Sequence, residues 1–244
     1  MNSVRIYRNA AGGLRLNSFT VKVKESDLWI AVSNAAYSDT LPGKIEQLLF
    51  NQRGILEAYL AKRPYLKKTL EPCITGENVP ALFKLMALAA NRLGVGPMAA
   101  VAGAIAEIIG MHLCDISEEV VVENGGDVFI KAVNPLNVGI YAGNSPLSGK
   151  IAIKVKPEQT PLGICTSSGT VGPSLSFGKA DAAVAVSPSV PLADAAATAL
   201  GNRVKVASDL EPVLEYAQTI EGLTGALLIF QDRIAAWGDL ELVG

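Results

Sequence analysis

Asp194 and Thr198 stand four residues apart in the stretch PLADAAATALG, residues 191–201. On a helix that spacing puts a carboxylate and a hydroxyl on one face, one turn apart. Only alanines separate them, so nothing bulky crowds an approaching ligand. Two hard oxygen donors suit Mg2+, which takes few protein ligands and shares its other positions with water and phosphate. The same residues also fit a plain helix. An Asp in a first turn answers the positive end of the helix dipole, and a Thr further along is ordinary. Metal pair and helix device are both open readings.

A second constellation lies at residues 120–130, VVVENGGDVFI. Asn124, Gly125, Gly126 and Asp127 separate two apolar runs. Asn-Gly is a favoured pair for a two-residue hairpin, because both positions tolerate positive φ. Adjacent glycines also leave backbone N–H groups bare, so a phosphate or a flat ring can approach without meeting a Cβ. Asp127 would then accept from a ribose hydroxyl or a ring N–H. Turn and binding corner are compatible.

Two further stretches offer chemistry. In GICTSSGTVGPSLSFGKAD, Thr166, Ser167, Ser168 and Thr170 carry hydroxyls on an expected loop between strands. Hydroxyls with glycine suit phosphate or sugar contacts, and a polar surface loop has the same composition. A serine nucleophile there would depend on His112, the one histidine of the chain. In GVGPMAAVAGAIAE, the small residues Ala99, Ala100, Ala102, Gly103 and Ala104 follow Met98 at a helix start. They let a backbone or ligand come close, and a helix N-terminus offers N–H groups to an anion. Tight helix-on-sheet packing selects the same residues. Glu107 and His112, towards the far end of that helix, are expected to be solvated or locally paired. The sequence holds no Walker loop, GxGxxG, HExxH or paired-carboxylate motif.

The elements that must position these residues follow from periodicity. Alternation in SFTVKVKESDLWIAVS predicts a hairpin, with Phe19, Val21 and Val23 on one face, a turn at 25–27, and a second strand over 28–32. Helical spacing predicts a helix over 44–62, with Gly54 a point of interruption and Pro64 at or just past its end. A second helix is expected over 78–93, with Asn78 as N-cap and Gly94 as stop. A third is expected over 97–109, followed by Gly110. Strands are predicted at 120–123, 128–133, 138–141 and 151–155, and at AAVAVS. Helices follow at 192–200, stopped by Gly201, and at 211–218, and a closing hairpin ends the chain. Strands in hairpin-like neighbours, without strict β-α-β alternation, define an α+β fold with mixed or antiparallel sheets.

Composition removes several classes. The chain has 244 residues, half of them hydrophobic and 18% charged, with net charge −2. It is globular, large enough to bury a core, and gives no electrostatic case for nucleic acid. Cys73, Cys114 and Cys165 are too few and too scattered for a zinc cluster or a disulfide framework, and are expected as reduced thiols. Residues 94–114 reach spanning length. However, Glu107 interrupts them and much of the stretch is Ala and Gly, so a buried helix is expected and no membrane partner. The N-terminus shows no secretory or lipidation signal, so a cytoplasmic protein is expected.

Taken in order, GPMAAVAGAIAE, VVVENGGDVFI, CTSSGTVG.SLSFGKADAAVAV and PLADAAATALGN resemble an uncharacterised bacterial and archaeal family. That family is distantly related to ApbE, the flavin transferases once called thiamine-biosynthesis lipoproteins. The resemblance implies a single ApbE-like domain over 1–244, made of two related T-fold-like halves that meet near 135–150. It implies FAD and Mg2+ as cofactors, with either FMN transfer to a protein hydroxyl or cleavage of FAD to FMN and AMP. The alternatives are a non-catalytic flavin or nucleotide-like ligand-binding protein, and a structural relic of the fold. A small nucleotide-like molecule is the implied partner, and a homo-oligomer is compatible.

The family's Gly-Gly-Asp turn is similar to Gly125, Gly126 and Asp127, and its Asp-x-x-x-Thr metal pair to Asp194 and Thr198. Its third metal ligand, a backbone carbonyl, would fall within 98–102. Three departures stand out. ApbE has Ala-Lys-Gly in its helix start where Ala102 is followed by Gly103. Its histidine-containing Asp-Pro-x-x-Gly segment has no counterpart here, Pro173 and Ser174 standing at the nearest place. Its export and lipidation signal is also missing. These departures favour ligand binding over transfer chemistry.

Overall fold

The computed structural model describes residues 15–76, 78–169 and 177–244. Its first element is the expected hairpin, longer at both ends: β1 (Leu16–Val23) pairs antiparallel with β2 (Ser26–Ser33) in a register that sets Val21 against Leu28. The long helix α1 (Leu41–Ala61) passes through Gly54 without a break. Nothing lies within 4 Å of where a Cβ would stand on Gly54, so the glycine lowers helix propensity there and does nothing else.

Helix α2 (Ala81–Arg92) starts later than the spacing predicts. Asn78 is not its cap, since its backbone sits at φ +60, and Pro80 holds the cap position in an extended conformation. Gly94, at φ +67, ends that segment as expected.

A 3-10 turn, Pro97–Ala100, leads into α3 (Val101–Cys114). Gly110 lies inside α3, where a stop was predicted. A Cβ on Gly110 would come within 2.2 Å of the Phe129 ring, so the glycine is a packing residue that lets helix and sheet touch. The span 97–114 is long and apolar enough to cross a membrane by length and composition, and half of it is buried within this fold.

The strands β3 (Val120–Asn124) and β4 (Asp127–Lys131) close over Gly125 at φ +75 and Gly126 at φ +118, the left-handed conformations a two-residue hairpin demands. Short strands β5 (Leu136–Gly139) and β6 (Ala152–Val155) follow. Next come β7 (Leu162–Ser167) and β8 (Ala182–Ser187), then α4 (Val190–Arg203) and α5 (Leu210–Gln218). The closing hairpin forms from β9 (Gly225–Phe230) and β10 (Arg233–Gly238), and β11 (Glu241–Val243) leaves it. Gly201 is inside α4, two residues short of its end. Thr166 and Ser167 belong to strand β7, whereas a loop was expected.

Eight strands form one antiparallel sheet in the order β1-β2-β3-β4-β7-β8-β9-β10. Its two halves share one element order, two strands, helices, two strands. Among the described residues the five α-helices pack on one face. A three-stranded sheet, β11-β6-β5, covers the other face of the central strands. This second cover explains why AAVAVS is buried throughout. Ala183 and Ala185 face the helices, whereas Ala182, Val184 and Val186 face the small sheet. Alanine suits the helix side because α4 lies close. On neighbouring β7, a Cβ on Gly163 would come within 2.7 Å of the Val190 Cα.

Candidate functional site

Strand alternation decides which side chains can meet the helices. On β3, Val120 and Val122 join the helix-side core, so Asn124 points the same way. On β4, Phe129 does so, and Asp127 with it. Cys165 does so on β7, and Ser167 with it. Asn124 and Asp127 are partners across the glycine turn, and Asp127 is the cross-strand partner of Cys165. Three polar side chains are thus set beneath the helices at one corner of the sheet. All three are at least nine-tenths buried.

The first turn of α3 and the first half of α4 complete the corner. The Asn124 side-chain amide donates to the Ala102 carbonyl at 3.1 Å. The Gly103 N–H donates to Asp194 Oδ2 at 2.8 Å, and the Ala102 N–H also turns towards that carboxylate. Asp194, from α4, therefore caps the N-terminus of α3, which satisfies donors that a helix start leaves open. The favour is returned: the Val190 N–H, in the first turn of α4, donates to Glu107 Oε2 on α3 at 2.8 Å. Glu107 is thus paired across the fold, where solvent or a local partner was expected. Gly103 permits this closeness, since a Cβ there would lie 2.7 Å from the Val190 carbonyl oxygen and 2.8 Å from Asp194 Cβ.

The electrostatics follow from the crowding. Burial, chiefly, and then the charge of Asp127 push Asp194 well above the usual carboxylate range, against the N–H groups of Gly103 and Ala102. Burial, with a contribution from Glu123, raises Asp127 to about 7, opposed by the Cys165 thiol and the Thr166 N–H. Burial and both aspartates drive the Cys165 thiol up as well. Its sulfur also lies 3.5 Å from the Val190 carbonyl oxygen. A buried pair of carboxyls around an uncharged thiol is a place that favours protons or a cation.

Each residue singled out in the sequence now has a place. Gly125 is the exposed tip of the turn. Gly126 runs beside β7, its position for a Cβ 3.6 Å from the Thr166 carbonyl oxygen. Thr198 is half-buried, one turn after Asp194 on the same face of α4. Gly201 continues that stripe beside Ser167, and a Cβ there would lie 3.8 Å from the Ser167 Oγ. Asp194, Thr198 and Gly201 therefore run along Cys165 and Ser167 of β7. Ser168 is half-buried just past the strand end. Met98 and Ala99 are half-buried in the 3-10 turn before α3. Thr170, Pro173 and Ser174 lie outside the described residues. His112 is exposed at the far end of α3, remote in sequence and element from the hydroxyls of β7.

Among the described residues no cluster of three or more His, Cys, Asp and Glu side chains is arranged for a metal. A groove of about 410 Å³ lies elsewhere, lined by Leu210, Glu211, Arg233 and Ile234. Cys165, Gly103 and Glu107 are the members of the corner whose roles spacing did not reveal.

Eight antiparallel strands with helices on one face and a small sheet on the other make the fold of the ApbE proteins. The ApbE protein of Thermotoga maritima superposes with TM-score 0.55 at 13% identity, over 90% of this chain and 96% of that one. The flavin transferase ApbE of Vibrio cholerae superposes with TM-score 0.53 at 16% identity, over 91% and 96%. Within that fold the chain belongs to the family described as AbpE bacteria, whose model matches residues 9–236. Among its relatives are a UPF0280 protein of Methanocella arvoryzae, 44% identical over 79% of this chain and 78% of that protein, and the UPF0280 protein MJ1526 of Methanocaldococcus jannaschii, 36% identical over 91% of both.

Proposed function

We propose that this protein binds a flavin nucleotide, FAD, with Mg2+, at the corner formed by the glycine turn, the start of α3 and the Asp194 face of α4. The observation that carries the reading is the buried pair Asp127 and Asp194 at one corner of the sheet, Asp194 raised by its burial and then by the charge of Asp127, Asp127 by its burial and then by Glu123. Positive charge beside Asp194 would offset the cost of its burial, and the donors on that face of α4 are hard oxygens of the kind Mg2+ selects. The residues present therefore fit the group. Asp194, through the oxygen not bonded to Gly103, and the Thr198 hydroxyl would hold it, with one backbone carbonyl. That carbonyl would fall within residues 98–102, where the Ala102 and Met98 oxygens accept one hydrogen bond each, from Asn124 and Val101, and keep a second lone pair.

When bound, the cation supplies charge neutralisation and polarisation at a pyrophosphate. The chain's own groups orient the ligand. Bare N–H groups at Gly125 and Gly126 meet its polar atoms, Asp127 accepts from a ribose hydroxyl or ring N–H, and the Ser167 and Ser168 hydroxyls reach phosphate. FMN transfer and FAD hydrolysis break the same P–O–P bridge and differ in whether a protein hydroxyl or water accepts the FMN phosphoryl group.

A second reading, flavin held without cleavage, is favoured by the bonds already made by the carboxylates: Asp194 to Gly103 and Asp127 to Cys165 serve the fold as they stand. Incubation of the purified protein with FAD and Mg2+ separates the two. FMN and AMP formed by the wild type and absent with Asp194→Ala establish cleavage. Saturable FAD binding without products establishes the carrier. Neither binding nor products would remove the flavin reading.

A further inference from the structure

The segment joining α1 to α2 carries an unusual charge balance. Between residues 62 and 71 stand Lys62, Arg63, Lys67 and Lys68 against Glu71 alone, in a chain whose acids outnumber its bases, 23 to 21. Arg63 is engaged, its guanidinium 4.3 Å over the Tyr59 ring. Lys62, Lys67 and Lys68 are exposed and make no ion pair among the described residues. Leu66 is buried in the main core, so the 3-10 turn Pro64–Lys67 is anchored from below, with Tyr65, Lys67 and Lys68 on the outside.

This turn is fixed in place against the lead-in to α3, whose first turn borders the candidate site. A Cβ on Gly96 would lie 2.0 Å from the Thr69 carbonyl oxygen, so the backbone after Lys68 rests directly on the residue that opens the lead-in turn Pro97–Ala100. Further on, Cys73 is tied to Asn91 of α2 at both backbone groups, at 2.9 and 2.8 Å. Gly96 and Ala102 are separated by one 3-10 turn and the first residues of α3, roughly 11 Å by the rise of those helices. A dinucleotide comfortably exceeds that length, and lysine ammonium groups bind phosphate oxygens through charge-assisted hydrogen bonds.

We infer that Lys67 and Lys68 form a basic rim of the site that recognises the phosphates of a diphosphate-bearing ligand. The inference rests on the flavin nucleotide reading for its ligand, and on the packing of residues 64–70 against 96–100 for its location. The rim selects for phosphate and is indifferent to the flavin ring. It therefore distinguishes FAD from riboflavin, and it responds to other organic or inorganic diphosphates.

The test compares the full chain with the double variant Lys67→Ala/Lys68→Ala in the presence of Mg2+. Three probes are used: FAD, riboflavin and inorganic pyrophosphate. Both lysines are exposed, so the variant keeps its fold, checked by an unchanged melting temperature without ligand. The rim predicts FAD and pyrophosphate binding weaker by about three- to tenfold in the variant, the range for a pair of exposed charges, with a shallower salt dependence. Riboflavin binding is expected to be unchanged. If FAD binds the wild type and the variant equally, the rim is wrong and the flavin reading stands. If the wild type ignores FAD yet holds pyrophosphate through these lysines, the rim stands and the flavin reading fails. Lysine-dependent binding to anionic phosphatidylserine vesicles, with no response to pyrophosphate, would overturn the rim in favour of a membrane-surface patch.

Discussion

Asp194 does two jobs that compete for one carboxylate. Its Oδ2 is committed to the Gly103 N–H, and its charge, in a buried setting shared with Asp127, is costly. Asn at this position keeps an acceptor for Gly103 and has no charge to bury. Asp194→Asn is therefore expected to melt at or above the wild-type temperature at pH 7.5 without metal, while losing stabilisation by millimolar Mg2+. Differential scanning fluorimetry with and without Mg2+ checks both halves.

A pH dependence belongs to the same residues. Asp127, raised to about 7, keeps a proton in the folded state that the unfolded chain gives up near 4. The folded state thus binds more protons between those values, and stability of the metal-free protein falls as pH climbs through that window, by at most about 1.4 kcal/mol per pH unit. Above about 7 this contribution is flat, and Asp194 adds to it in the same direction. Urea melts at pH 5, 6, 7 and 8 are expected to show the decline in the wild type and a shallower one in Asp127→Asn.

The types and spacing of Asp194, Thr198 and the Asn124–Asp127 turn were legible in sequence, because each lies within a single turn of chain. That Asp194 caps another helix, and that Cys165 sits between the two aspartates, was not legible. Both facts depend on contacts 91 and 38 residues apart in the chain, Gly103 to Asp194 and Asp127 to Cys165.

Among the elements, glycines caused most of the boundary differences. Gly94 does end its segment, through a positive φ. Gly110 and Gly201 do not, because they are selected by what packs against them. Gly110→Ala puts a methyl within 2.2 Å of the Phe129 ring. A loss of about 1–3 kcal/mol is expected from that overpacking, with partial recovery in the double variant Gly110→Ala/Phe129→Leu. A gain near 1 kcal/mol, the ordinary result of Gly→Ala in an open helix, would show that the ring yields freely. Gly103→Ala acts on the link between α3 and α4, meeting both the Val190 carbonyl and Asp194. It is expected to weaken Mg2+ stabilisation along with the fold. Asn78 misled for a related reason: its residue type suits a cap, but Pro80 set the helix start two residues later.

On the scale of the molecule, antiparallel strands with helices on one side were readable from alternation and helix periods. The second layer was not. Strands are readable near β5 and β6, at 138–141 and 151–155, but their separation into a sheet of their own depends on pairing with the three-residue β11, about ninety positions from β6, which no local pattern announces. Their effect shows only in the uniform burial of β8, where small and branched side chains alternate between two covers. This predicts the slowest amide exchange in β4, β7, β8 and β9, buried on both faces, and faster exchange at the sheet edges β1 and β10. Exchange mass spectrometry that finds β10 as protected as β8 would reveal a partner on that edge.

The site sits where the two halves of this sheet meet their helices, and its purpose rests on one binding event. Equilibrium dialysis of FAD against the wild type and Asp194→Asn, each with and without Mg2+, addresses it directly. Saturable FAD binding that needs Mg2+ in the wild type and vanishes in Asp194→Asn is the predicted result. FAD binding that is indifferent to both Mg2+ and the substitution, or no binding by the wild type at all, would contradict it.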